Sequence, residues 1–177
     1  MGSGKSSVGQ ALARLLKWRF VDLDDEIERE QSRKIREIFA SDGEAKFREI
    51  EAGGLRSVLV SGSRPMVLAT GGGTYVQPQN AELLRTEGAF IVFLQASPEV
   101  LLRRCCGSDD PDEAVRPLAQ DRDAFLRLYQ QRLPLYRTAD WTVTSDHRSP
   151  ESVAQEIAQM FRSGQTAGSS SAVADSE

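Results

Sequence analysis

The sequence predicts an α/β fold in which helices cover both faces of a parallel sheet. Three observations predict it. Helical and strand-like segments alternate along the chain. The strand candidates are short and apolar. The polar motifs fall at the carboxyl ends of these candidates, where open parallel sheets bind their ligands. A chain of 177 residues suits one compact domain with a real core.

The elements follow in order. Val8, Ala11, Leu12, Leu15 and Leu16 recur at helical spacing, which predicts a helix over 6–17. WRFVDLD, residues 18–24, reads as a strand with its carboxylates at the far end. A charged helix is expected over 25–40, on the apolar positions Ile27, Ile35, Ile38 and Phe39, until Ser41-Asp42-Gly43 breaks it. A further helix is expected from Glu44 to about Val60. MVLAT (66–70) and AFIVFLQA (89–96) read as buried strands, with a helix between them in the alternation. Ser97-Pro98-Glu99 and Ser149-Pro150-Glu151 each supply an N-cap and a first-turn proline, and so predict helix starts. Between these lie an acidic stretch at 107–114, a helix near 119–132 and a last strand at WTVTS. SGQTAGSSSAVADSE, residues 163–177, is small and polar and is expected to be a disordered tail.

Composition excludes some functions. A net charge of −4 favours neither nucleic acid nor an anionic membrane as partner. No apolar run reaches the roughly 18 residues of a membrane span. The two cysteines, Cys105 and Cys106, are adjacent and too few for a disulfide framework or a zinc site. A reducing compartment fits.

Six motifs carry candidate chemistry. GSGKSS, residues 2–7, is the second half of the phosphate-binding pattern G-x-x-x-x-G-K-[ST], whose first glycine would fall two residues ahead of Met1. Glycine amides and the start of the following helix attract phosphate. Lys5 would reach the β- and γ-phosphates, and Ser6 would ligate magnesium. Asp22 and Asp24 would share one strand face about 6–7 Å apart, with Asp25 pointing away toward the helix start. Taken alone, that pair reads better as a solvated strand end. Arg48 and Glu51, three apart on a helix, can pair, and a guanidinium so held can grip a carboxylate; alone, they read as a surface ion pair. Gly71-Gly72-Gly73 requires either a positive φ or a close approach of the backbone to something. In VRPL (115–118), Arg116 could close over a nucleotide, and Arg132 in QRLPLYR (131–137) could meet the same ligand.

Together these motifs resemble the shikimate kinase family over residues 1–162. The resemblance is carried by GSGKSSVG, the Asp-x-Asp of FVDLDDEIE, IFASDGEAKFREIE, the triple glycine, VRPL and QRLPLYR. It implies a three-layer α/β/α fold with a five-stranded parallel sheet in the order 2-3-1-4-5. It implies transfer of the γ-phosphoryl of ATP to the 3-hydroxyl of shikimate, with Mg2+, in the route to chorismate and the aromatic amino acids. Gly2, Ser3, Gly4, Lys5, Ser6 and Ser7 would hold ATP, with Arg104 and Arg148 flanking adenine and Arg116 reaching phosphate from a lid at about 107–118. Ser6 and Asp22 would serve the metal. Asp24 would be the base, with Lys5 and Arg116 stabilising the transferring group. Phe39, Phe47, Arg48, Glu51, Gly71, Gly72, Gly73 and Arg132 would form the shikimate pocket.

The resemblance also implies that the sheet's first strand and the loop's first glycine lie ahead of Met1, so that the true start is expected upstream. A cytoplasmic monomer is expected, or a plastid one in a plant. A gluconate-type kinase and a non-catalytic relative of the same fold are the alternatives; the second Asp with FREIE and QRLPLY favours shikimate.

Overall fold

The computed structural model describes residues 2–61, 64–106 and 121–169. Helix α1 (Lys5–Leu16) leads into β1 (Arg19–Asp22), α2 (Leu23–Gln31) and α3 (Ile35–Ser61). Strand β2 (Met66–Ala69), α4 (Pro78–Thr86), β3 (Val92–Gln95) and α5 (Pro98–Cys106) follow. Helix α6 (Arg122–Tyr136), β4 (Trp141–Thr144) and α7 (Pro150–Ser169) complete the described chain. No helix among the described residues is long and apolar enough to cross a membrane.

Local chemistry explains where the boundaries depart from expectation. The strand expected at 18–24 ends at Asp22, because the Asp22 side chain accepts from the Asp24 amide and starts α2 as its N-cap. The helix expected over 25–40 is split. Ser32 turns left-handed at φ 50°. Glu28 then takes the Ile35 amide at 3.0 Å and Glu37 the Lys34 amide at 2.9 Å, which caps a new helix. Gly43, at φ 79° and ψ 174°, kinks α3 at the expected break. Helix α6 begins at its cap, where Asp121 accepts from the Ala124 amide at 2.9 Å, and runs on to Tyr136. Helix α7 continues to Ser169, seven residues into the expected tail. Each added residue gains a helical hydrogen bond without a new nucleation cost. The expected lid, with Arg116, lies outside the described residues, as does 170–177.

The strands form two parallel pairs, β1 with β2 and β3 with β4. Arg19 stands opposite Met66 and Val92 opposite Trp141. These two pairs are compatible with the expected order 2-3-1-4-5, in which 2-3 and 4-5 are neighbours; the described residues form no five-stranded sheet. Each pair has its own core. Val21 packs with Leu23, Ile27, Leu55 and Leu84; Leu94 and Val143 pack with Val8, Val153 and Ile157.

Between the pairs runs an apolar cavity of about 490 Å³. Every residue of 66–72 and of 89–94 borders it. Successive strand residues point to opposite faces, so a cavity touching all of them lies along the backbone edges. Trp18, Phe90 and Phe161 line the end where the strands begin, and Ser3, Lys5, Gly71 and Gly72 the end where they finish. Among the described residues, strands β2 and β3 therefore each present an unpaired edge to the cavity.

Hydrogen exchange tests this arrangement. Amides of 66–69 and 92–95 that face the cavity should exchange markedly faster than those bonded to β1 and β4. Equal protection of both edges would contradict it.

Candidate active site

The site gathers at the carboxyl ends of the strands. Gly4, at φ 85°, is the N-cap of α1, a left-handed position that glycine adopts without steric cost. It leaves the first amides of α1 free of any side-chain cap. Lys5 reaches Ser3 Oγ at 3.4 Å. The loop is anchored from below: Ser145, just beyond β4, donates to the Ser3 carbonyl at 3.2 Å. Arg104 donates to the carbonyls of Gly2 and Ser145 at 3.3 and 2.9 Å. Ser6 and Ser7 are exposed.

Ser6 Oγ donates to Asp22 Oδ2 at 2.6 Å, and Asp22 Oδ1 accepts from the Asp24 amide at 3.1 Å. Asp22 and Asp24 thus meet for a different reason from the one expected. They do not alternate along one strand; Asp24 sits in the first turn of α2, directly after its cap. Asp25, in the same turn, is exposed. Burial first, then the negative charges of Asp22 and Glu51, against the opposing pull of Lys5, together push the Asp24 carboxyl up to about 6.

On α3, Arg48 Nη1 donates to Glu51 Oε2 at 2.9 Å and Nη2 to the exposed Glu44 at 3.0 Å. Glu51 is 1% exposed, so the pair is an interior one rather than a surface one. The guanidinium lies over the Phe47 ring at 5.3 Å, and Phe39 packs on Phe47 with ring centres 4.4 Å apart. Arg48 Nε is buried without a hydrogen-bond partner.

The triple glycine resolves toward close approach, since none of its three residues has a positive φ. A Cβ on Gly73 would overlap the Arg48 guanidinium. One on Gly71 would crowd Asp24 Oδ1, Thr74 Oγ1 and Glu51 Oε1 at 3.1–3.3 Å. From α6, Arg132 donates to the Gly72 carbonyl at 3.4 Å, and the Tyr136 hydroxyl donates to the same oxygen. Burial holds the Tyr136 phenol above its ordinary range, so it remains a donor. Tyr136 also stacks on Phe93.

The structure therefore brings Asp22, Asp24, Arg48, Glu51, Gly71–Gly73 and Arg132 to one wall, beside the loop that carries Lys5 and Ser6. Arg148 is committed elsewhere, to the Thr144 carbonyl, Ser152 and Glu156. Sequence reasoning assigned no role to Thr74, Tyr136 or Ser145. Tyr136 carried a signal, standing one helical turn after Arg132.

Comparison with known proteins supplies a second line of evidence. The family model described as shikimate kinase matches residues 1–162. A shikimate kinase from Persephonella marina is 36% identical, the match covering 92% of this chain and 94% of that one. One from Synechococcus is 42% identical over 92% of this chain and 79% of its own. A solved shikimate kinase from Acinetobacter baumannii, in complex with shikimate, superposes with a TM-score of 0.82 at 36% identity, covering 93% and 89% of the two chains.

Asp24 allows a test that needs no ligand. It binds its proton more tightly in the fold than in the unfolded chain. Its ionisation therefore costs stability as pH rises from about 4 through 6. Asp24→Asn removes that cost, so the variant should gain stability over the parent at pH 8 but not at pH 3.5, by ~1–3 kcal/mol. Denaturant unfolding at both values checks it; an equal difference at the two pH values would refute it.

Proposed function

The chain belongs to the shikimate kinase family, and we propose how its own residues carry that family's reaction. The reaction moves the γ-phosphoryl of ATP to the 3-hydroxyl of shikimate and leaves ADP. The observation that carries the assignment is the convergence of Asp24, Arg48 and the Gly71–Gly73 turn on one point.

Phosphoryl transfer depends on in-line positioning and charge neutralisation. The uncapped amides of α1, with Gly2 to Ser7, cradle the phosphates. Lys5 balances the charge that develops on the transferring group. Ser6 and Asp22 offer hard oxygen donors 2.6 Å apart, which fits Mg2+ bound by the Ser6 hydroxyl with Asp22 orienting it. Among the described residues no group of three or more His, Cys, Asp or Glu could cage a metal. When bound, the ion supplies neutralisation of β- and γ-phosphate charge.

Arg48 and Arg132 bracket the turn and hold the acceptor's carboxylate; the unpartnered Arg48 Nε marks a guanidinium with donor capacity in reserve. Gly72 and its neighbours approach the ring hydroxyls, and Phe39 and Phe47 close the side of the pocket. Asp24 takes the proton of the 3-hydroxyl as its oxygen bonds to the γ-phosphorus and the bond to the ADP oxygen breaks. A carboxyl held near 6 is mostly ionised at pH 7 yet basic enough to help. The family resemblance assigns Arg116, which lies outside the described residues, to the phosphates. Arg104 and Arg148 face adenine only by exchanging the bonds they make here.

A coupled assay for ADP tests the reading: turnover with shikimate and none with gluconate is expected, and the reverse preference would overturn it. Arg48→Ala should raise the KM for shikimate about 10–100-fold, as loss of charge-assisted hydrogen bonds implies, and move the KM for ATP by no more than about twofold. Equal weakening of both would remove Arg48 from the acceptor site.

A further inference from the structure

Glu51 divides its two oxygens. Oε2 accepts from Arg48 Nη1 at 2.9 Å, while Oε1 accepts from the Thr74 hydroxyl at 2.7 Å. Thr74 is fully buried and Glu51 1% exposed, so neither oxygen turns to water instead. Thr74 is itself fixed at both backbone atoms. Its amide donates to the Gly71 carbonyl at 3.2 Å, closing the glycine turn, and its carbonyl accepts from Asn80 Nδ2 at 3.2 Å at the start of α4. Asn80 is 2% exposed.

The consequence lies in the geometry of the guanidinium. An arginine and a carboxylate on neighbouring helical turns can close as a bidentate fork, both oxygens on both nitrogens. Such a fork would spend Arg48 on its own helix. The Thr74 hydroxyl donates its one proton to Glu51 Oε1; that oxygen keeps a second lone pair, so the bond acts by orientation, turning the carboxylate to present Oε2 rather than both oxygens to Arg48. The second terminal nitrogen then meets only Glu44, which is 69% exposed on its side chain and free to move into water. Gly73 lies against the same guanidinium with no room for a Cβ, so the turn and Arg48 are held in register.

We infer that Thr74 is a positioning residue: its hydroxyl keeps Glu51 from closing on Arg48 as a fork, which reserves one edge of the guanidinium for the carboxylate of the acceptor. The inference rests on the acceptor site proposed above. It adds a residue outside the motifs that carry the family resemblance, and it makes affinity for the acid depend on a hydroxyl that need not touch it.

The test compares Thr74→Val with Thr74→Ser. Valine keeps the shape and removes the donor; serine restores the donor. T74V should raise the KM for shikimate about tenfold, leave the KM for ATP within about twofold and change kcat little, the pattern of lost uniform binding. T74S should return the KM for shikimate to within about twofold of the parent. An unchanged KM for shikimate in T74V, even with a lowered Tm, would overturn the inference, as would an equal rise in both KM values. If T74V does not fold, T74A removes the hydroxyl without adding an apolar methyl beside Glu51, and the same criteria apply. A crystal structure of the folded variant decides the point without turnover. Glu51 closed on both Arg48 nitrogens supports the inference; Glu51 still on one nitrogen overturns it. Failure of the parent chain to phosphorylate shikimate would count against the functional reading, while the crystallographic comparison would still judge the role of Thr74.

Discussion

Asp22 stands where β1 ends and α2 begins, and both of its oxygens are committed. Oδ1 takes the Asp24 amide and Oδ2 the Ser6 hydroxyl. Through the first bond the carboxylate stops the strand and caps the helix; through the second it binds the phosphate loop to the β1 side of the molecule. Asp24 then has nowhere to lie but the first turn of α2, beside Lys5 and opposite the glycine turn. Losing a cap costs on the order of 1 kcal/mol in an ordinary helix. Here the same loss would also release the loop and redirect the candidate base. The spacing of the two aspartates matters less than the cap between them.

The rest of the site answers the charge this arrangement concentrates. Asp24 lies within interaction range of Asp22 and Glu51, and among the described residues Lys5 offsets their charge on it. An anionic cluster of this kind, facing Arg48 and Arg132, suits a ligand that carries both a carboxylate and hydroxyls. The carboxylate goes to the arginines and a hydroxyl proton to Asp24, the acid whose affinity for a proton is raised. The glycine turn makes the approach possible. It holds Arg48 against Gly73 and is itself gripped from α6 through the Gly72 carbonyl and from α4 through Asn80.

Much of this was legible in the sequence where the cause was local. The half-motif at the start carries its own chemistry. Ser149-Pro150 announces a helix, and Arg48 with Glu51 pairs by helical spacing alone. Legibility failed where a distant partner decides. Ser32 looks like helix interior until Glu28 and Glu37 reach across to cap α3. Thr74 gains meaning only because Glu51, twenty-three positions earlier in the chain, arrives beside it. Arg104 serves the backbone of the loop, a function no spacing rule would suggest. The separation of the strands into two pairs is likewise a matter of which edges meet, and apolar strings of four residues do not encode their neighbours.

The central claim is that one wall, built by the Asp22 cap and the glycine turn, presents Asp24 and Arg48 to the same small acid. A crystal structure with shikimate and a non-hydrolysable ATP analogue tests it most directly. The acceptor's carboxylate should lie in hydrogen-bond contact with Arg48 and Arg132, and its 3-hydroxyl within about 2.6–3.2 Å of an Asp24 oxygen. A bound acceptor whose carboxylate lies away from Arg48, or whose 3-hydroxyl faces a group other than Asp24, would contradict it.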